Sequence, residues 1–219
     1  MRKMPPTIAL LAVAAFLLLA FLLLLSNRGK TSPTQSALRD LAAQTGGTYQ
    51  RKSVGFGQVV EFEQGGHRFV FETTGSLAGP GDAIASYQSL RAFVFYQPVQ
   101  PFELTLDPKN VREITLTLKP SDVSQVILGI PAIDDGYSVR ASDSQIAAAL
   151  LNDAAVQRQL ATAAARTSRL VIGPHDGNAW VAFGEEEEAL TGERLLAIRD
   201  LLTALLAALE HDGLAAPAL

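Results

Sequence analysis

The chain has no cysteine, so it can form no disulfide, no thiolate metal site and no thiol nucleophile. The same absence excludes the acylated cysteine of a lipoprotein. Charge is sparse as well: 18% of the residues are charged, against about 25% in ordinary soluble domains. Only three histidines occur, His67, His175 and His211, and no two stand at the i, i+4 spacing that places a zinc-ligand pair on one helix face. The phosphate-cradling motif G-x-x-x-x-G-K-[ST] and the nucleophile elbow G-x-S-x-G are both missing. Gly55-Phe56-Gly57 lacks the third glycine and the strand-to-helix frame of a dinucleotide fingerprint.

What is there begins with a long apolar run. Ile8 to Leu25 is 18 consecutive apolar residues, about 27 Å as a helix, close to the ~30 Å hydrocarbon core of a bilayer. A signal peptide has a shorter apolar region and ends in a small-x-small pair, whereas this run ends Leu-Leu-Leu-Leu-Ser-Asn-Arg. The reading is therefore an uncleaved single-pass anchor in contact with lipid through residues 8–25. Arg2, Lys3 and the α-amino group outnumber Arg28 and Lys30 by one, which favours a cytoplasmic N-terminus and a domain outside the cytoplasm. The first 30 residues hold four bases and no acid. Removing those four from 18 leaves 14 bases against 22 acids, a net charge of −8 for residues 31–219. That balance excludes a nucleic-acid partner, which needs a basic surface.

Residues 1–30 thus read as the anchor with its flanks, 31–35 as a linker, 36–212 as one α+β domain and 213–219 as a flexible tail. Gln35–Gln44 is an amphipathic helix ended by Gly46-Gly47. Val60–Glu63 and Arg68–Phe71 alternate around Gly65-Gly66, the signature of a β-hairpin. Ala92–Tyr96, Phe102–Leu106 and Val111–Leu118 are further strands, the last two joined by an Asp107-Pro108-Lys109-Asn110 turn. Residues 75–90, rich in Gly, Ser and Ala, read as an exposed loop. Tyr137–Arg140 is a strand leading into a capping box, Ser142 to Gln145. The helix it opens carries Ile146, Leu150, Ala154, Gln157 and Leu160 and extends to Arg166. Arg169–Ile172 and Ala179–Phe183 pair across an Asp176-Gly177 turn, and Glu193–Glu210 is a long helix with a broad leucine face. The expected architecture is a transmembrane helix followed by a mainly antiparallel sheet of six or seven strands, packed against two long helices.

Candidate chemistry is thin. His175-Asp176 matches the dipeptide of metal phosphohydrolases, but before glycine it is accounted for by turn chemistry. Asp134-Asp135 could bind a divalent cation, yet no loop of converging oxygen ligands surrounds it, and an exposed acidic turn explains it better. The run Glu185–Glu188 precedes the last helix, where acids meet the positive end of the dipole. Trp180 and Phe183 read as core rather than as a stacking platform. No catalytic residue, cofactor site or metal ligand is assigned, and all three histidines lack a partner visible in the sequence.

Two patches carry a resemblance. Leu38-Arg39-Asp40-Leu41-Ala42-Ala43-Gln44-Thr45-Gly46-Gly47-Thr48-Tyr49 follows the membrane helix, and Gly129-Ile130-Pro131-Ala132-Ile133-Asp134-Asp135-Gly136-Tyr137-Ser138-Val139 precedes a helix containing Leu150-Leu151. With the strand–turn–strand–helix ending, this order resembles a diffuse group of uncharacterised bacterial single-pass membrane-anchored proteins over most of residues 36–210. The resemblance implies an α+β domain without catalytic residues. The function expected is a membrane-tethered, non-catalytic interaction or accessory domain, a subunit of a larger membrane complex whose acidic face meets a basic partner. The alternatives are a binder of an apolar small ligand or lipid, and a hydrolase assembled from distant residues such as His175, Asp134 and Ser138.

Overall fold

Gly65 and Gly66, both at positive φ, close the turn that the alternating residues on either side require. They join β2 (Gln58–Gln64) to β3 (His67–Ala78), which pair from Gln64↔His67 outward. The computed structural model describes residues 32–52, 57–78, 85–109, 122–163, 168–175, 177–187 and 190–217. The apolar run 8–25, its flanks and the strand expected at Val111–Leu118 lie outside the described residues. Among the described residues no helix is long and apolar enough to cross a membrane.

The fold is a mixed α+β domain built on a large antiparallel sheet. The other strands are β1 (Thr48–Arg51), β4 (Ala85–Pro98), β5 (Leu104–Pro108), β6 (Gln125–Val126), β7 (Tyr137–Ala141), β8 (Arg169–His175), β9 (Asn178–Glu187) and β10 (Ala215–Ala216). Their order is β1-β2-β3-β4-β9-β8-β5-β7-β6, with β10 on the end of β4. Five helices accompany them among the described residues: α1 (Pro33–Thr45), α2 (Pro131–Asp134), α3 (Ser144–Asn152), α4 (Ala154–Ala163) and α5 (Gly192–His211). Helix α5 lies against β4 and β9 and is flanked by α1 and α4. Its leucine face is buried as the 3-4 spacing requires, with Leu195, Ile198, Leu201, Leu202, Leu205 and Leu209 all at 0% exposure. At about 1.5–3 kcal/mol each, these six stabilise the fold by on the order of 10–20 kcal/mol before entropy is counted.

Several expectations need correction. Of residues 75–90, expected as an exposed loop, 75–78 belong to β3 and 85–90 to β4, with Gly75↔Gln88 and Leu77↔Ser86 in register, and 79–84 lie outside the described residues. Backbone pairing needs no side-chain alternation, and Gln88–Leu90 are held on both sides, by β3 and by β9. Asp107 and Pro108 belong to β5, opposite Ser138 and Tyr137. Pairing with β8 stops at Leu106, so the missing N–H of Pro108 costs no ladder bond there. The helix cap is Asp143, whose Oδ1 accepts from the Gln145 and Ile146 amides at 2.8 and 3.0 Å. Ser142 instead accepts from the Glu103 amide at 3.0 Å.

The long helix expected after it is two, α3 and α4. Asp153 leaves the helical conformation (ψ 129°) and caps α4 by accepting from Ala155 and Val156. The linker is shorter than expected, because α1 starts at Pro33 and buries Thr34, whose hydroxyl accepts from the Leu190 amide. The C-terminal segment is no tail through Ala216: Leu214 is 2% exposed and Ala215–Ala216 pair with Gln97 and Pro98.

Candidate functional site

Strand alternation sends Val60, Phe62, Phe69, Phe71, Ala92, Val94, Val181 and Phe183 to the helix-covered face, where they join the main core. The residues between them point the other way. There Val59, Val70, Phe93, Val171 and Ala182 form a second apolar cluster, with Phe95 and Trp180 half-buried against it. Every member belongs to a strand, so among the described residues no helix contributes to this face.

Register fixes how the aromatic rings meet. Phe95 lies directly opposite Trp180, and Phe93 opposite Ala182 one step along. Trp180 has Gly173, which carries no side chain, as its neighbour on β8. The His175 imidazole stacks on Trp180 with centroids 3.8 Å apart and planes within 6°. Phe93 stacks on the indole from another side at 5.0 Å, and the Arg68 guanidinium sits 5.5 Å from the Phe95 ring centre. The result is a strip of three aromatic rings and an imidazole with a cation over one end. Ion pairs frame it: Glu61 with Arg68 at 3.1 Å, Glu72 with Lys52 at 2.7 Å and with Arg91 at 2.5 Å, and Asp107 with Arg169. On this face Glu61, Glu72 and Asp107 are thus each paired with a base.

The sequence candidates take other positions. Trp180 belongs to this strip and not to the main core, whereas Phe183 is core at 1% exposure. His67, expected to lack a partner, is 2% exposed between the Phe95 carbonyl (3.2 Å from Nδ1) and the Glu210 carboxylate (2.8 Å from Nε2). It ties β3 to the end of α5, and both neighbours are acceptors. Asp134 is occupied in its own loop, accepting from the Leu128 and Ile130 amides at 3.2 and 3.0 Å. The Lys109 ammonium donates to its carbonyl.

The acid run does not open a helix: Glu185–Glu187 are part of β9. Glu185 is 0% exposed and receives a two-pronged contact from Arg194, with the Ser168 hydroxyl donating at 3.3 Å. Tyr137 stands close enough that the Arg194 charge opposes the upward push of burial on its phenol. Ser138 and His175 are not brought together. Ser138 pairs with Asp107, level with the start of β8, and His175 ends that strand six residues on, about 20 Å away. Among the described residues no three His, Asp or Glu side chains converge as a metal would require.

Phe93 and Phe95 fall in one strand of the sequence, and no local signal joins them to Trp180 and His175. Within that strand a signal was present: Ala92 to Tyr96 is apolar at both parities, although an antiparallel strand with one wet face alternates. No known protein family and no curated protein matches the chain. Among solved structures, the crystal structure of the mycobacterial trehalose monomycolate transport factor A, TtfA, is similar over 78% of this chain and 93% of that chain. The identity is 12% and the TM-score 0.46, a likeness that says nothing of what this chain binds.

Proposed function

We propose that this chain is a membrane-tethered, non-catalytic interaction domain, an accessory subunit that offers the sheet face left uncovered by the described helices to another protein of a membrane assembly. The observation that carries the reading is the strip formed by Phe93, Phe95, Trp180 and His175 on that face. Aromatic residues and arginine are the types enriched where proteins meet, and a flat apolar strip framed by paired charges suits a partner surface better than a reaction. The tether is the apolar run 8–25, which holds the domain within reach of a bilayer and of the proteins in it.

Trp180 is the sole tryptophan, so its fluorescence reports directly on this face. Full-length protein extracted in mild detergent should carry a stoichiometric protein partner, and the indole emission should shift to the blue when that partner is present. Trp180→Ala should release the partner while leaving the melting temperature within a few degrees. Substitution of Ile127, 86% exposed and outside the strip, should release nothing. A partner retained by Trp180→Ala would refute the docking face. A chain that purifies with bound lipid and no protein partner would overturn the docking reading.

A further inference from the structure

Where β4 ends, Tyr96, Pro98, Pro101, Phe102, Pro174 and Ala179 line a cavity of about 210 Å³. The three prolines bring no N–H group, so the wall they form is apolar. Tyr96 and Phe102 are 2% and 4% exposed. The Tyr96 side chain borders the cavity, and its hydroxyl makes no hydrogen bond among the described residues and is not sealed from solvent. Tyrosine hydroxyls ordinarily find an acceptor, and on the cavity side water or the oxygen of a ligand can supply it. Burial pushes the phenol up to about 12, which keeps it a donor at any physiological pH.

The loop that shapes the cavity is pinned at both ends. The Val99 amide donates to the Leu214 carbonyl at 3.0 Å, and the Ser142 amide donates to the Glu103 carbonyl at 2.9 Å. The cavity therefore exists before any ligand arrives, which lowers the cost of binding. Glu103 is the one charged residue of the lining, and its carboxylate opposes an anion.

We propose that this cavity is a binding site for a small, neutral, largely apolar molecule whose single acceptor oxygen, a ketone or ester carbonyl, receives the Tyr96 hydroxyl. A cavity of about 150 Å³ holds benzene, so this one admits a ring with a short carbonyl substituent. The site is separate from the docking strip, because Tyr96 faces the helix-covered side of β4 while Phe93 and Phe95 face the other. Loss of either site leaves the other intact, and the two proposals fail separately.

The test uses the full chain in detergent and three probes: acetophenone, its carbon isostere α-methylstyrene, and benzoate. Each is titrated by ligand-detected saturation transfer and by the ring resonances of ¹³C-labelled tyrosine. Acetophenone should shift the Tyr96 resonance and bind about five-fold more tightly than α-methylstyrene, the worth of one hydrogen bond. Benzoate should bind more weakly than acetophenone. Tyr96→Phe keeps the cavity and should abolish the preference for the ketone. Val99→Trp, at a position 62% exposed on the rim, should close the mouth and weaken all binding at least ten-fold, and it decides the matter alone if Tyr96→Phe does not fold. A ketone preference that survives Tyr96→Phe, binding that Val99→Trp leaves unchanged, or benzoate bound as well as acetophenone would each overturn the assignment.

Discussion

Arg194, in the first turn of α5, reaches a carboxylate in β9 that has no solvent exposure, and the two side chains only make sense together. Removing the guanidinium strands a charge where water cannot reach it. Arg194→Leu should therefore cost about 3–5 kcal/mol, and the double change Glu185→Leu with Arg194→Leu should cost clearly less than that. Urea titrations of both variants decide the point; equal losses would mean that the pair contributes no more than its packing. Tyr96 carries the second prediction at this scale. Its phenol stays protonated in the folded chain up to about pH 12, whereas in the unfolded chain it ionises near 10.0. Between those values the folded state binds the extra proton, so stability falls as pH rises through that window and levels off above it. The full drop is about 2–3 kcal/mol for a shift of this size. Wild type and Tyr96→Phe should differ in stability slope only across that window, as read from melting temperatures at stepped pH. Identical slopes would show that the hydroxyl is not buried as described.

At the scale of elements, α5 is where periodicity and packing agree most closely. It lies against β4 and β9 and is flanked by α1 and α4, so no face of its leucine stripe is spare. Leu202→Glu removes about 1.5–3 kcal/mol of burial and adds a carboxylate at a position with 0% exposure. The variant should unfold or aggregate, since whole-domain stabilities are only about 5–15 kcal/mol. Retention of the wild-type melting temperature would refute the packing of this helix. Where local signals misled, a neighbouring element had intervened. Ser142 left its capping role because the Glu103 amide at the start of β5 offered it a partner, and Asp143 took over. Asp153 divided a helix that apolar spacing alone would have continued, because an aspartate gives up little by leaving the helical conformation to cap the next turn.

For the whole molecule, the property of most consequence is attachment. The 18-residue apolar run without a cleavage site leads us to expect that mature protein in the membrane fraction keeps its first residues. Intact mass spectrometry checks this, and a mature N-terminus near Asn27 would sink it. Reporter fusions to Leu219 that are active only inside or only outside the cytoplasm should show the domain outside.

The sequence alone determined what depends on neighbours a few residues apart. The two glycine hairpins, the leucine face of α5, the α+β class and the strands Arg68–Phe71 and Ala92–Tyr96 were all legible, because turns and amphipathic periods are local. Tertiary structure decided which residues share a site. The strip of Phe93, Phe95, Trp180 and His175 draws on three strands whose order, β4-β9-β8, no local signal encodes. The cavity at Tyr96 joins β4 to Pro174 and Ala179, more than seventy residues later in the chain. The partner of His67 is Glu210, at the far end of the last helix. Strand pairing and helix docking are set by burial summed over the whole chain, so contacts between residues distant in sequence emerge only once that sum is taken.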